Sequence, residues 1–304
     1  MSNRSRWKTT AAAVASAAAL GTLPPNAPAS AAPGPCPQLY VVAVPGTWET
    51  SEAEPAEGLL AASADGLPGD VRVDYIPYAA TAFPWETEVY GRSKHEALTK
   101  TRTAVAAMAR MCASTDIALL GYSQGADAAG DFAAEIGTGA GVVPPERVAL
   151  VGLISDPRRA PADTLIGPAT VGAGAGGPRP GGFGGIADRT YTFCAVGDLY
   201  CAMPPGDFAG RIAGFLAEIS NPDPARFDDY ARHGSDLLGA AVEAGGLGLL
   251  AGQFAPPALQ QRRTQIEQFL SSGVHQSYST YVVDSRGATA VSWLRDALTR
   301  ILTR

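Results

Sequence analysis

The segment Gly121-Tyr122-Ser123-Gln124-Gly125 narrows what this chain can fold into more than any other. It lies between an apolar run, Ile117 to Leu120, and a helical pattern, Ala126 to Ile136. A serine flanked by glycines at that junction reads as a nucleophile elbow, G-x-S-x-G in its strand–turn–helix context. The hydroxyl must stand exposed on a tight turn, so the residues around it must be small. The helix that follows aims its first N–H groups at the place where negative charge would develop. The backbone N–H of Gln124 is the expected first donor to that oxyanion.

The rest of the pattern supplies a sheet for such an elbow. Leu39 to Val44 is a continuous apolar run, as expected of a strand buried on both faces. Further strands are expected at Val71 to Tyr78, Arg147 to Ile154 and Thr190 to Val196, and a long helix over Arg92 to Met111. Alternating strands and helices predict a parallel sheet covered on both sides. Ligands then sit beyond the carboxyl ends of the strands. Gly167 to Gly185, rich in glycine and proline, is expected to be a mobile loop. Its Gly172-x-Gly174-x-x-Gly177 is a poor dinucleotide fingerprint, because Pro178 follows where a helix should open. Residues 206–272 read as largely helical, either a lid or a plain elaboration of the domain.

The first residues read as a leader. Arg4, Arg6 and Lys8 precede an apolar run from Thr10 to Leu20, and Ala27-Pro28-Ala29 and Ala29-Ser30-Ala31 fit a cleavage site. The expectation is a signal peptide over 1–32, a single domain over 33–304, and a secreted protein. The formal net charge of −6 argues against a nucleic-acid partner, since nothing would neutralise phosphates. Four cysteines suit an exported chain with two disulfides, for which three pairings exist. Cys194 and Cys201 are close enough to close a short loop, which leaves Cys36 with Cys112. A zinc site fits the spacing badly.

A serine nucleophile needs a base. The three histidines are His95, His233 and His275. His95, between Lys94 and Glu96, reads as a solvated helix face, and His233 as part of a polar helix. His275 lies in a late loop, and the histidine comes last in chain order in α/β-hydrolases, so it is favoured over His233. The orienting carboxylate is expected at Asp198, inside the Cys194–Cys201 loop that would hold it rigid. Asp156, before Pro157, is the rival, though Asp-Pro also suits a plain turn. Asp127 and Asp131 are expected to face solvent or partners in the core. A second oxyanion donor is expected from Thr47, after the first strand and beside Gly46.

Taken together, these residues resemble the cutinase family of serine esterases. The elbow Gly-Tyr-Ser-Gln-Gly has that family's form. The stretch from Asp188 through Cys194 to Gly197-Asp198-Leu199-Tyr200-Cys201 resembles its disulfide-held acid loop. Gly46-Thr47 resembles its oxyanion position, and Cys36 and Cys112 match its other disulfide. The resemblance implies an α/β-hydrolase three-layer sandwich with a central five-stranded parallel sheet. It also implies hydrolysis of carboxylic esters with neither metal nor cofactor. The helical insertion 206–272 before the histidine departs from small fungal members. It looks more like cell-envelope relatives of actinobacteria and their phages, mycolate-ester hydrolases included. The expected partner is an ester or lipid substrate, with association at a cell-envelope surface and a monomeric state. A non-catalytic envelope-binding protein and a secreted serine peptidase are the competing readings.

Overall fold

The computed structural model describes residues 35–304; the expected leader lies outside the described residues. Five strands form one sheet: β1 (Leu39–Val44), β2 (Val71–Tyr75), β3 (Asp116–Tyr122), β4 (Val148–Ile154) and β5 (Thr190–Phe193). The order is β2-β1-β3-β4-β5, and every pairing is parallel. The five-stranded parallel core is thus as expected. The second and fifth strands stop earlier than their apolar runs. Pro77 lies just beyond β2, and the Cys194–Cys201 disulfide loop begins directly after β5.

β1 is uniformly apolar because it serves two cores. Tyr40, Val42 and Val44 face one side; Leu39, Val41 and Ala43 face the other. Strand side chains alternate between faces, so a two-sided strand leaves no polar position. The first face is covered by α2 (Tyr90–Met111) and α3 (Gln124–Gly137). The second is covered by the one-turn α1 (Ala61–Ala64) and by α8 (Ala290–Leu302). α8 presents Val291, Leu294, Leu298 and Leu302 on one stripe, and a Thr289–Ser292 capping box starts it. The helix lies close to β4: a Cβ on Gly152 would come within 2.3 Å of the Leu294 side chain.

Residues 206–272 carry four helices: α4 (Phe208–Glu218), α5 (Phe227–Ala244), α6 (Gly246–Gln253) and α7 (Pro256–Ser272). They share only a small apolar cluster around Phe208, Leu237 and Ala241. What ties the segment to the sheet is charge. Lys94 on α2 pairs with Asp127 (2.8 Å) and Asp131 (3.0 Å) on α3 and with Glu218 on α4. Arg226, between α4 and α5, reaches Asp131 at 2.7 Å. Arg179 bonds Asp131 (2.9 Å) and Asp156 (2.6 Å), and Arg158 approaches Glu218 at 3.4 Å. Four cations thus face four carboxylates in the interior.

This cluster corrects one expectation. His95 is exposed as expected, although Lys94 beside it is buried. Gly167 to Gly185, by contrast, is not a loose loop. Arg179 anchors it in the interior, and backbone bonds run from Gly174 to Arg159, Ala175 to Tyr200 and Gly176 to Pro157. Several of its glycines, Gly172, Gly174, Gly177 and Gly184 among them, are required by close packing: a Cβ on Gly174 would lie 2.2 Å from the Pro157 carbonyl oxygen. Asp127 and Asp131 take the second of their two expected roles, as carboxylates paired inside the core.

Removing one partner of a buried ion pair leaves the other charge uncompensated. Arg179→Met strips Asp156 of its cation. We expect a loss of about 3–5 kcal/mol in unfolding free energy, read from urea denaturation.

Candidate active site

The elbow forms where β3 meets α3. Ser123 has φ 54° and ψ −122°, a left-handed conformation rare for a residue with a side chain. Its N–H donates to the Ile154 carbonyl at 2.9 Å, tying the turn to the end of β4. Both flanking glycines are sterically required. A Cβ on Gly121 would lie 2.5 Å from the Ala126 Cα, and one on Gly125 would lie 2.1 Å from the Val44 carbonyl oxygen. The Gln124 side chain turns back into the protein, donating to Thr81 O at 3.0 Å and accepting from Ser93 Oγ at 3.1 Å.

Two other chain segments converge on Ser123. His275 sits on a short 3-10 turn, Val274–Ser279, that follows α7 through Gly273 at φ 66°. Asp198 sits in the Cys194–Cys201 loop after β5, fully buried. His275 Nε2 lies 2.9 Å from Ser123 Oγ, and His275 Nδ1 lies 3.0 Å from Asp198 Oδ2. The structure therefore brings the three sequence-selected residues into one hydrogen-bonded line. Both cysteine pairs are bonded as expected, Cys36–Cys112 and Cys194–Cys201.

Asp198 is held by more than the histidine. Its Oδ2 accepts from Ser155 Oγ at 2.6 Å and from the Tyr278 hydroxyl at 2.7 Å; its Oδ1 accepts from the Tyr200 N–H at 3.0 Å. Burial works to raise its pKa. The His275 hydrogen bond and charge outweigh that, with the two hydroxyls, and hold the carboxyl below its ordinary value. An ionised Asp198 can only accept, so the proton on the imidazole belongs at Nδ1. Nε2 is then free to accept from the Ser123 hydroxyl. The imidazole is also boxed in. Tyr122 stacks on it at 5.3 Å, Tyr200 lies 4.5 Å away, and Phe269 of α7 packs edge-on to Tyr200 at 5.4 Å. The Tyr122 hydroxyl donates to the His275 carbonyl at 2.7 Å.

Packed against the elbow, the turn after β1 leaves the Thr47 N–H available. Gly46 donates to Glu49 Oε2 (2.8 Å), Trp48 to Ala80 O (2.8 Å) and Glu49 to Gly46 O (3.1 Å). Among the described residues, the N–H groups of Thr47 and Gln124 have no acceptor. They are the candidate oxyanion donors.

The competing candidates are elsewhere. His233 packs against Phe215 (4.9 Å) and Gly177. Burial, with the charges of Arg158 and Arg211, pushes its pKa down to about 4, too low for an effective base at neutral pH. Asp156 belongs to the Arg179 ion pair. His95 is exposed on α2. Sequence reasoning missed Ser155, Tyr278, Tyr122 and Tyr200. A signal existed for two of them. Ser155 is the first residue past β4 at the sheet's active edge, and Tyr278 is one turn beyond His275.

Residues 35–213 match the Cutinase family model, more than half of the chain. The chain belongs to the Cutinase family. The Carboxylesterase Culp6 homolog of Corynebacterium glutamicum is 32% identical over 209 residues, 56% of this chain and 66% of that protein. This chain therefore spans just under two thirds of that relative's length. Among solved structures, the catalytic core of an acetyl xylan esterase from Trichoderma reesei aligns at 19% identity and a TM-score of 0.46. That alignment covers 67% of this chain and all of that one. Lysin B of Mycobacteriophage D29 aligns at 17% identity and a TM-score of 0.42, covering 69% of this chain and 91% of that one. The family match ends at residue 213, so α5 to α7 and His275 lie beyond it.

The depressed pKa of Asp198 sets a pH signature. The folded carboxyl binds a proton less readily than the unfolded one. Its contribution to stability is complete above the ordinary value of 3.8 and is lost as pH falls through the depressed folded value. The difference in urea midpoint between the wild type and Asp198→Asn should therefore hold from neutral pH down to the ordinary value of 3.8 and shrink as pH falls from there to the depressed folded value.

Proposed function

We propose that this protein is a secreted serine esterase that cleaves carboxylic esters with Ser123 as nucleophile, His275 as base and Asp198 as orienting acid. The observation that carries this is the continuous line from Ser123 Oγ through both imidazole nitrogens to a buried, ionised carboxylate. His275 Nε2 takes the hydroxyl proton as Ser123 Oγ attacks the ester carbonyl. Asp198 stabilises the imidazolium that results. The N–H groups of Thr47 and Gln124 receive the oxyanion. Collapse of the tetrahedral intermediate expels the alcohol, which takes its proton from His275. Water then attacks the acyl-enzyme with His275 again as base, releasing the acid and restoring Ser123.

Two disulfides within the described residues support export, because such bonds persist in oxidising compartments. The complete line within one chain supports a monomer as the working unit. The helical insertion 206–272 supports cell-envelope lipid esters, mycolates among them, as the substrate class. The strained Ser123 and its hydrogen bond to His275 favour an enzyme over a fold kept only for binding, since strain of that kind is retained where it serves chemistry.

Ser123→Ala and His275→Ala should each reduce kcat/KM for nitrophenyl butyrate by about 10⁴-fold or more. His233→Ala should stay within about twofold of the wild type, as expected of a residue outside the reacting line. Collapse of activity in the His233 variant, with His275→Ala still active, would overturn the choice of base. A chain-length series of nitrophenyl esters run beside a peptide panel separates esterase from peptidase.

A further inference from the structure

Next to the oxyanion turn stands a row of aromatic rings turned out to solvent. Trp48 follows Thr47 directly and is 67% exposed; Trp85 is 79% exposed. Phe83 lies between them, 6.0 Å from Trp48 and 4.7 Å from Trp85, with the Phe83 and Trp85 planes only 4° apart. Rings of this size normally bury themselves. Here the backbone prevents it. Trp48 is held at φ 63° with its N–H on Ala80 O. Its indole N–H donates to Glu86 Oε1 at 2.7 Å, and Glu86 Oε2 accepts from the N–H groups of Ala82 and Phe83, each at 2.8 Å. The same loop is tied to the elbow by the Gln124 side-chain amide on Thr81 O. One carboxylate thus fixes the Trp48 indole and the backbone of Phe83, on which Trp85 stacks, in an outward row that begins beside the candidate oxyanion donor.

We propose that this row is a carbohydrate-binding subsite, on which the sugar of a glycan-borne ester stacks as its ester carbonyl enters the Ser123 site. The inference rests on the esterase reading above and adds the alcohol side of the substrate to it. Phe83 covers one face of Trp85; the face left open, on a ring 79% exposed, matches the C–H face of a sugar ring, which the negative face of an aromatic ring attracts. The competing occupant is a lipid surface, and charge argues against it. Glu86 stands at the centre of the row, in water. Backbone N–H groups hold its pKa below the ordinary value, so it is ionised at neutral pH. Pressing it into acyl chains would strip that charge of water with no cation to compensate. Sugar hydroxyls, by contrast, can donate to its remaining lone pairs. The chain's net charge of −6 adds repulsion from anionic lipid.

The test is isothermal titration calorimetry on the full chain carrying Ser123→Ala, so that no probe is consumed. The probes are three neutral oligosaccharides, xylohexaose, cellohexaose and α-1,5-arabinohexaose, and vesicles of phosphatidylcholine. Saturable binding of at least one oligosaccharide is expected, weakened about tenfold or more by Trp85→Leu and restored by Trp85→Phe. Trp85 is so exposed that neither change threatens the fold. Absence of binding to all three oligosaccharides, binding unaffected by Trp85→Leu, or binding to the vesicles instead would overturn the proposal. Hydrolysis of nitrophenyl butyrate by the intact chain reports separately on the esterase reading. A failed subsite and a failed nucleophile therefore give different results.

Discussion

A serine cannot rest at φ 54° unless its surroundings leave it no alternative, and much of this structure serves to remove the alternatives. Gly125 lets α3 press against the end of β1, so close that no side chain fits between them. The Ser123 N–H is pinned to the last carbonyl of β4. Farther along α3, Asp127 and Asp131 are gripped by Lys94, Arg179 and Arg226. The strain at one residue is thus balanced by backbone packing on one side and buried charge on the other. The outcome is a hydroxyl aimed at a histidine whose own backbone carbonyl is held by the residue before the serine.

Two aspartates follow strands at the same edge of the sheet, and their surroundings give them different work. Asp156 faces Arg179, so its charge is neutralised by a cation that cannot give up a proton. Asp198 faces no permanent cation. Its charge is met by two hydroxyls, one backbone N–H and the imidazole. Only the second arrangement leaves net negative potential to stabilise an imidazolium as it forms. The residue types are the same at the two positions, and the partner makes the difference. Ser155 and Tyr278 therefore matter, because they satisfy Asp198 without quenching it.

This also explains what could and could not be read from the chain. The sheet, the elbow and both cysteine pairs were legible because each rests on local rules: apolar runs, a glycine-flanked serine, a short loop between cysteines. Ser123, Asp198 and His275 emerged from those rules with the order of elements along the chain. The charged cluster did not. Its members come from α2, α3, α4 and two loops, and a single lysine in a polar helical stretch looks like surface until its partners are known. The glycine-rich stretch before Arg179 misled for a related reason. Glycine marks flexibility and close packing alike, and only the neighbouring Pro157 carbonyl distinguishes them here.

The helical segment before His275 illustrates a further consequence. α6 and α7 bury no residue, and the apolar cluster shared with α4 and α5 is small. Attachment falls mainly to Glu218 and Arg226, whose buried pairs are demanding in geometry but contribute little net stability after desolvation. At its far end the same segment supplies Phe269, which packs on Tyr200, which in turn lies against the His275 ring. The wall beside the histidine thus rests on a layer joined to the core by charge more than by apolar contact. Local opening is easiest where buried apolar contacts are few. The sheet side of the site, with Ser123 and the Cys194–Cys201 loop, stands on the rigid core, and the α7 side stands on the more yielding layer. Ser123 and Asp198 are therefore fixed by the rigid core, while the ring of Phe269 beside Tyr200 shares the looser attachment of α7.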